Sequence, residues 1–124
     1  MAGMERFTQR ARRVLSLAHQ EAEKMHKDAI STEHLLLGLI GEDGGVAGRV
    51  LRDLGLEAER VREMAERVSG VGESQSKRLD LTPGVQEVLE FAIEEARNMG
   101  HHYIGTEHLL LALVRSDQGF ALEV

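Results

Sequence analysis

The chain has 124 residues, a net charge of −6 and no cysteine; 42% of its residues are hydrophobic and only 3% are aromatic. These values predict one ordered domain with an aliphatic core, and they exclude disulfides, thiolate metal sites and cysteine nucleophiles. The acidic balance argues against nucleic acid as a partner, because phosphate binding favours a basic surface.

The sequence contains no stretch that approaches the roughly 18 apolar residues of a membrane span, and the first 30 residues contain no continuous apolar run. We therefore expect a soluble, cytoplasmic protein without a membrane partner. One basic cluster stands out, and it predicts a solvated helix face in preference to a nucleic-acid patch. Its members are Arg6, Arg10, Arg12 and Arg13.

Apolar periodicity predicts four helices in the first half of the chain. Thr8 caps a first helix of about five turns, which ends near His26, and Thr32 caps a short second helix whose leucines predict burial nearly all round. The glycine-rich segment 41–45 stops the second helix. The third helix carries a predicted buried stripe of Val46, Ala47, Val50, Leu51 and Leu54 before Gly55, and the fourth carries Leu56, Val61, Met64, Ala65 and Val68 before Gly70.

The second half repeats the first at an offset of 74 residues. Residues 71–80 are predicted to form an exposed linker, after which Thr82 and Pro83 begin a helix as N-cap and first helical residue. Residues 7–50 and 81–124 align without a gap and are identical at 19 of 44 positions, which indicates an internal duplication. By this alignment the second repeat lacks the end of its third helix and all of its fourth.

The most conspicuous repeated string is Ile-Ser-Thr-Glu-His-Leu-Leu-Leu at 30–37, which returns as Ile-Gly-Thr-Glu-His-Leu-Leu-Leu at 104–111. A helix N-terminus offers free amides that suit a phosphate or carboxylate, and a neighbouring acid suits a guanidinium. One interpretation is thus a pair of ligand sites for phosphoarginine or a peptide. The other is that these residues are only helix caps with an acid in the first turn. The residues concerned are Thr32, Glu33, Thr106 and Glu107.

Four histidines raise the alternative of a small metal-dependent enzyme or metal sensor: His34, His101, His102 and His108. This alternative needs at least three rings to converge, and the sequence has no HExxH pair. The pattern favours packing or hydrogen-bonding histidines, with the 101–102 pair exposed or one of its rings packed against the second-copy helix. Neither a GxxxxGK[ST] phosphate loop nor a GxSxG nucleophile motif occurs, so we expect a non-enzymatic chain without a cofactor.

Taken together, two copies of a Thr-Glu-His-Leu-Leu helix, opened by Phe7-Thr8 and Leu81-Thr82, resemble the N-terminal Clp repeat domain of Clp-type AAA+ unfoldases, closest to the ClpC branch. The resemblance implies one all-α domain over 1–124. It implies two pseudo-symmetric four-helix repeats, at about 5–70 and 81–124, the second truncated after the start of its third helix.

The resemblance also implies a function. The domain would bind substrate and adaptor proteins for an AAA+ ring, would leave ATP to a following module, and would be monomeric in isolation. Some ClpC-like domains bind phosphoarginine through the motif glutamates, which are Glu33 and Glu107 here. The first copy has Lys27-Asp28-Ala29-Ile30-Ser31 where the family has a glycine before the threonine, whereas the second keeps Gly105. We therefore expect the better-formed pocket at Glu107. A stand-alone scaffold or adaptor without an ATPase is the alternative.

Overall fold

A computed structural model describes residues 4–69, 72 and 79–116 of the chain. The predicted end of the fourth helix at Gly70, most of the predicted linker and the predicted start of the second repeat's third helix lie outside the described residues. The described chain is mainly helical, as the sequence predicts. Its elements are a 3₁₀ turn at Met4–Arg6, then α1 (Gln9–Lys24), β1 (Ala29–Ile30), α2 (Thr32–Gly41), α3 (Val46–Asp53), α4 (Ala58–Ser69), β2 (Asp80–Leu81), α5 (Pro83–Asn98) and α6 (Thr106–Arg115).

The two long helices begin where the sequence predicts. Thr8 caps α1 by accepting a hydrogen bond through Oγ1 from the N–H of Ala11 at 3.0 Å. Thr82 caps α5 in the same way from the N–H of Val85 at 3.3 Å, and Pro83 is the first helical residue. One stripe of each helix enters the core, because apolar residues recur at three- and four-residue steps. The buried stripes are Ala11, Val14, Ala18 and Ala22 in α1 and Val85, Val88, Leu89, Ala92 and Ala96 in α5.

The two repeats share one core, in which the second helix of repeat one is the most enclosed element. Every residue of α2 from His34 to Ile40 is buried, and the helix packs against α1, α3 and α4. At Gly38 the backbones of α2 and α1 meet so closely that a Cβ would collide with the carbonyl oxygen of Val14. The equivalent helix α6 is less enclosed among the described residues, since Leu111 and Val114 are 43% and 59% exposed.

Two short parallel backbone pairings connect the two repeats. Ile30 of β1 pairs with Leu81 of β2, and Ile104 forms a bridge with Phe7. Since Leu81 is the counterpart of Phe7 at the 74-residue offset, each motif strand binds the beginning of the other repeat. The sequence did not predict these strands, because two-residue pairings carry no periodic signal. The predicted linker 71–80 therefore ends within a strand.

The structure corrects the predicted stripe of α3. Its buried residues are Ala47, Gly48 and Leu51. Val46, Val50 and Leu54, which the periodicity placed in the same stripe, are exposed by 56%, 40% and 73%. The reason is a close contact on the opposite side, where a Cβ at Gly48 would collide with the carbonyl oxygen of Glu42. The predicted core positions Val61 and Ala65 of α4 are buried. None of the described helices combines the length and apolar composition needed to cross a bilayer.

Candidate functional site

The motif helices begin one residue earlier than predicted. The N-cap residues are Ser31 and Gly105, so that Thr32 and Thr106 are the first residues inside α2 and α6. The backbone N–H of each N-cap residue donates to Nδ1 of the motif histidine, at 3.0 Å for His34 and 2.8 Å for His108. Histidine thus takes the place that Glu or Gln usually has in a capping box. The prediction that the threonines cap these helices is wrong.

These hydrogen bonds indicate the protonation state of both buried imidazole rings. Because Nδ1 accepts a hydrogen bond in each ring, we assign neutral imidazoles with the proton on Nε2. Burial lowers the pKa of His34 and of His108 below the ordinary value, and the negative charges of Glu33 and Glu107 oppose that shift only in part. The predicted role of these two residues as hydrogen-bonding core histidines is confirmed.

The metal hypothesis is not supported by the arrangement of the four histidines. His101 and His108 touch, with Nδ1 of the first 2.8 Å from Nε2 of the second. His108 already uses its other nitrogen at the helix cap. His102 is exposed, and His34 belongs to the other motif copy. Within 4–69, 72 and 79–116, no three His, Cys, Asp or Glu side chains are placed to hold one metal ion.

Thr106 connects its helix to the other repeat. Its Oγ1 accepts a hydrogen bond from the buried N–H of Ala47, 3.4 Å away in the first turn of α3. A Cβ at the neighbouring Gly45 would come within 2.7 Å of the same hydroxyl, so glycine is required there. The N-termini of α3 and α6 therefore meet side by side at the Thr106 side chain.

A cleft of about 720 Å³ opens where these two helix starts meet the start of α1. Three helix N-termini surround it, and each presents amides that lack partners within its own helix. Thr106 and Glu107 lie in this cleft, whereas Thr32 and Glu33 do not. The counterpart of this cleft around Glu33 would draw on residues 117–120, which lie outside the described part of the chain. The lining residues of the observed cleft include Thr8, Gln9, Gly45, Val46, Gly105, Thr106 and Glu107.

The cleft has a basic side that sequence reasoning did not assign to a site. Arg10 and Arg13 reach from α1 toward Glu42, whose carboxylate oxygens lie 3.5 Å and 3.3 Å from their guanidinium nitrogens. The N–H of Gly44 donates to the same carboxylate at 3.0 Å. Glu42 is 6% exposed, while both arginines are largely exposed. Of the four arginines predicted to form a solvated helix face, Arg10 and Arg13 therefore line the cleft. The only signal in the sequence was their three-residue spacing, which places both side chains on one face of α1.

Glu107 is held in place by an aromatic side chain that the sequence did not single out. The hydroxyl of Tyr103 donates to Oε2 of Glu107 at 3.3 Å. The carboxylate lies over Gly105, where a Cβ would collide with Oε1. Tyr103 stacks on the ring of His101, with centroids 5.0 Å apart and planes 12° apart. Partial desolvation, together with the negative charge of Glu107 and the hydrogen bond to it, raises the pKa of the Tyr103 phenol.

Comparison with known proteins agrees with this architecture. The family model described as the Clp repeat (R) N-terminal domain matches residues 6–124. Chaperone protein ClpB of Oceanobacillus iheyensis is 44% identical over 119 residues, which are 96% of this chain and 15% of that protein. The negative regulator of genetic competence ClpC/MecB of Bacillus subtilis gives the same values. The chain thus spans about a seventh of the length of these relatives.

Solved structures show the same fold. The N-terminal domain of the caseinolytic protease associated chaperone ClpD from Arabidopsis thaliana superposes with a TM-score of 0.81 and 32% identity, covering 98% of this chain and 84% of that one. The N-domain of ClpV from Vibrio cholerae gives a TM-score of 0.78 at 18% identity, covering 97% and 75%. The second likeness concerns the fold alone.

Proposed function

The chain belongs to the Clp repeat N-terminal domain family, and from that premise we propose that it captures substrate and adaptor proteins for a Clp-type AAA+ unfoldase. In this proposal the chain binds and does no chemistry, and ATP is used by a separate AAA+ module. We also propose that it acts in the cytoplasm and that the domain is monomeric in isolation. The relatives are named as a ClpB chaperone and a ClpC/MecB regulator, and this chain matches only about 15% of their length.

For the ligand we propose phosphoarginine on a protein substrate, bound at Glu107. The observation that carries this proposal is the convergence of three helix N-termini and the Glu107 carboxylate in a single cleft, which Glu42 and Asp43 also line. Helix N-termini favour an anion through their free amides and positive partial charge. Arg10 and Arg13 add two guanidinium groups on the same cleft. A phosphoryl group fits this basic side, while Glu107 suits the guanidinium of the same ligand through paired hydrogen bonds.

The size and state of the cleft agree with a ligand of this kind. A volume of about 720 Å³ lies in the usual range of small-molecule sites, roughly 300–1,000 Å³. Glu42 would oppose an anion if it were unpaired, but its carboxylate already binds Arg10, Arg13 and the N–H of Gly44. Its charge is therefore largely compensated within the protein.

Protein partners would extend beyond the cleft along α3. Val46 lines the cleft, and Val50 and Leu54 continue from it at four-residue spacing on the exposed side of the helix. An exposed apolar row of this kind is typical of a binding surface. We propose that it contacts apolar residues next to the phosphoarginine in a substrate peptide.

Isothermal titration calorimetry tests the proposed function. Free phosphoarginine and a phosphoarginine peptide are titrated into the 124-residue chain, with arginine and a phosphoserine peptide as controls. We expect binding of the first two only, because arginine lacks the phosphoryl group and the phosphoserine peptide lacks the phosphorylated guanidinium. Absence of heat with both phosphoarginine ligands would refute the phosphoarginine proposal. Adaptor docking would then be tested by pull-down with purified adaptor candidates.

A further inference from the structure

We propose that Tyr103 is a positioning residue that fixes the Glu107 carboxylate for a guanidinium ligand and makes the second motif copy the tighter of the two sites. This inference rests on the function proposed above, since it concerns the affinity of the same site.

A continuous series of contacts holds the Tyr103 ring. The N–H of Gly105 donates to Nδ1 of His108 at 2.8 Å, and Nε2 of His108 lies 2.8 Å from Nδ1 of His101. With the tautomer assigned above, His108 donates this second hydrogen bond. Tyr103 stacks on His101 and meets the edge of His108 at a centroid distance of 5.4 Å. The buried helix cap therefore orients an exposed tyrosine.

The hydroxyl of this fixed ring then restrains the ligand-binding carboxylate. It donates to Oε2 of Glu107, which leaves Oε1 and the remaining lone pairs for a ligand. Glycine at 105 allows the carboxylate to lie over the backbone. A glutamate held in one rotamer loses less conformational freedom when a ligand binds. In this proposal Tyr103 raises the affinity for the ligand by restraining Glu107, and not by contacting the ligand itself.

The first copy keeps the hydrogen bond from its N-cap residue to the motif histidine but lacks the rest of this device. At the 74-residue offset, Ala29 replaces Tyr103 and offers no side-chain donor, and Lys27 replaces His101. Ser31 replaces Gly105 and places a Cβ where the Glu107 carboxylate lies in the second copy. Glu33 therefore belongs to the same motif but has no counterpart of the Tyr103 and His101 side chains that restrain Glu107.

The charges around the two copies differ in the same direction. The counterparts of Arg10 and Arg13 on the Glu33 side are Gly84 and Glu87, and the counterpart of Glu42 is Ser116. An anion beside Glu33 would therefore meet a carboxylate where an anion beside Glu107 meets a guanidinium. Both differences favour Glu107 as the tighter site.

The first test measures phosphoarginine binding by calorimetry in single-site backgrounds. In a Glu33→Ala chain, where only the Glu107 site remains, we expect Tyr103→Phe to raise Kd roughly 3- to 10-fold, because Glu107 must then lose its conformational freedom when the ligand binds. In a Glu107→Ala chain the same substitution should leave Kd unchanged. Phenylalanine keeps the stacked ring, so the thermal unfolding midpoint should not move. An unchanged Kd in the Glu33→Ala background would overturn the proposal.

The second test needs no ligand, because Tyr103 is the only tyrosine and the chain has no tryptophan. Spectrophotometric titration of the phenol therefore reports this residue alone. Glu107→Gln removes a negative charge and should lower the pKa of Tyr103, whereas the matched control Glu33→Gln should leave it unchanged. Equal titration curves for both variants would refute the contact even where phosphoarginine binds. Failure of the wild-type chain to bind phosphoarginine would overturn the proposed function together with this inference.

Discussion

Thr106 accepts a hydrogen bond through Oγ1 from the backbone N–H of Ala47, 3.4 Å away, although the two residues belong to different repeats. The bond supplies a partner to a buried amide at the start of α3 and places that helix start beside the start of α6. The cleft between them depends on this contact. The hydroxyl that seemed suited to cap its own helix therefore serves a neighbouring helix.

Replacing Thr106 by valine should test that contact. The side chain keeps its shape but leaves the N–H of Ala47 without an acceptor, which we expect to lower the free energy of unfolding by about 1–2 kcal/mol. Amide hydrogen exchange at Ala47 should become faster. Thr106→Ser, which keeps the hydroxyl, is the matched control. Equal stability of the valine variant and the wild-type chain in urea would show that the hydrogen bond is unimportant.

The contact between Gly38 and Val14 predicts the effect of a single added methyl group. Gly38→Ala should lower the free energy of unfolding by roughly 1–2 kcal/mol, because separating α2 from the backbone of α1 outweighs the better helix propensity of alanine. Gly84→Ala provides the control: its added Cβ would meet nothing closer than 3.7 Å, so it should be neutral or slightly stabilising. Urea unfolding midpoints would measure both, and a stabilising Gly38→Ala would contradict the close contact.

The buried imidazoles make stability depend on pH. Because the folded chain lowers the pKa of His34 and His108 below the ordinary value of 6.5, the unfolded chain binds more protons as the pH falls through that value. The free energy of unfolding should therefore decrease between about pH 7 and pH 5.5. His108→Asn should reduce this slope, since an amide can accept the hydrogen bond from Gly105 without titrating. The same change at exposed His102 is the control, and an unaltered slope in His108→Asn would contradict the assignment.

The apolar row on α3 predicts a difference between two ligands. A double substitution of Val50 and Leu54 by aspartate should weaken binding of a phosphoarginine peptide with apolar flanking residues by about 10-fold, because two exposed apolar contacts are lost. Binding of free phosphoarginine should stay unchanged. Met99→Asp, at another exposed apolar position just beyond the end of α5, is the control. Equal losses for the peptide and the free ligand would contradict a role in peptide recognition.

Helix position and type could be predicted because they depend on local signals. Thr8, Thr82 and Pro83 carry strong N-terminal preferences, and the stripes of α1 and α5 follow directly from apolar spacing. The orientation of α3 had no such signal. The exposed row of Val46, Val50 and Leu54 lies next to the buried stripe, and the close contact at Gly48 favours burial of the stripe that contains it.

The candidate site was predicted only in part for the same physical reason. The motif drew attention to Thr106 and Glu107, which do lie in the cleft. The partners that shape the site come from distant segments: Glu42 meets Arg10 across 32 positions, and Ala47 meets Thr106 across 59. Tyr103 is close in sequence, but its role depends on the orientation given by the histidine rings.

The most direct test of the account is the affinity of the 124-residue chain for phosphoarginine when each motif glutamate is replaced in turn. We predict that Glu107→Gln raises Kd roughly 10- to 100-fold, because a charged hydrogen-bond acceptor is lost, while Glu33→Gln has a much smaller effect. Equal affinities for Glu107→Gln and the wild-type chain, or a larger loss from Glu33→Gln, would contradict the assignment of the cleft.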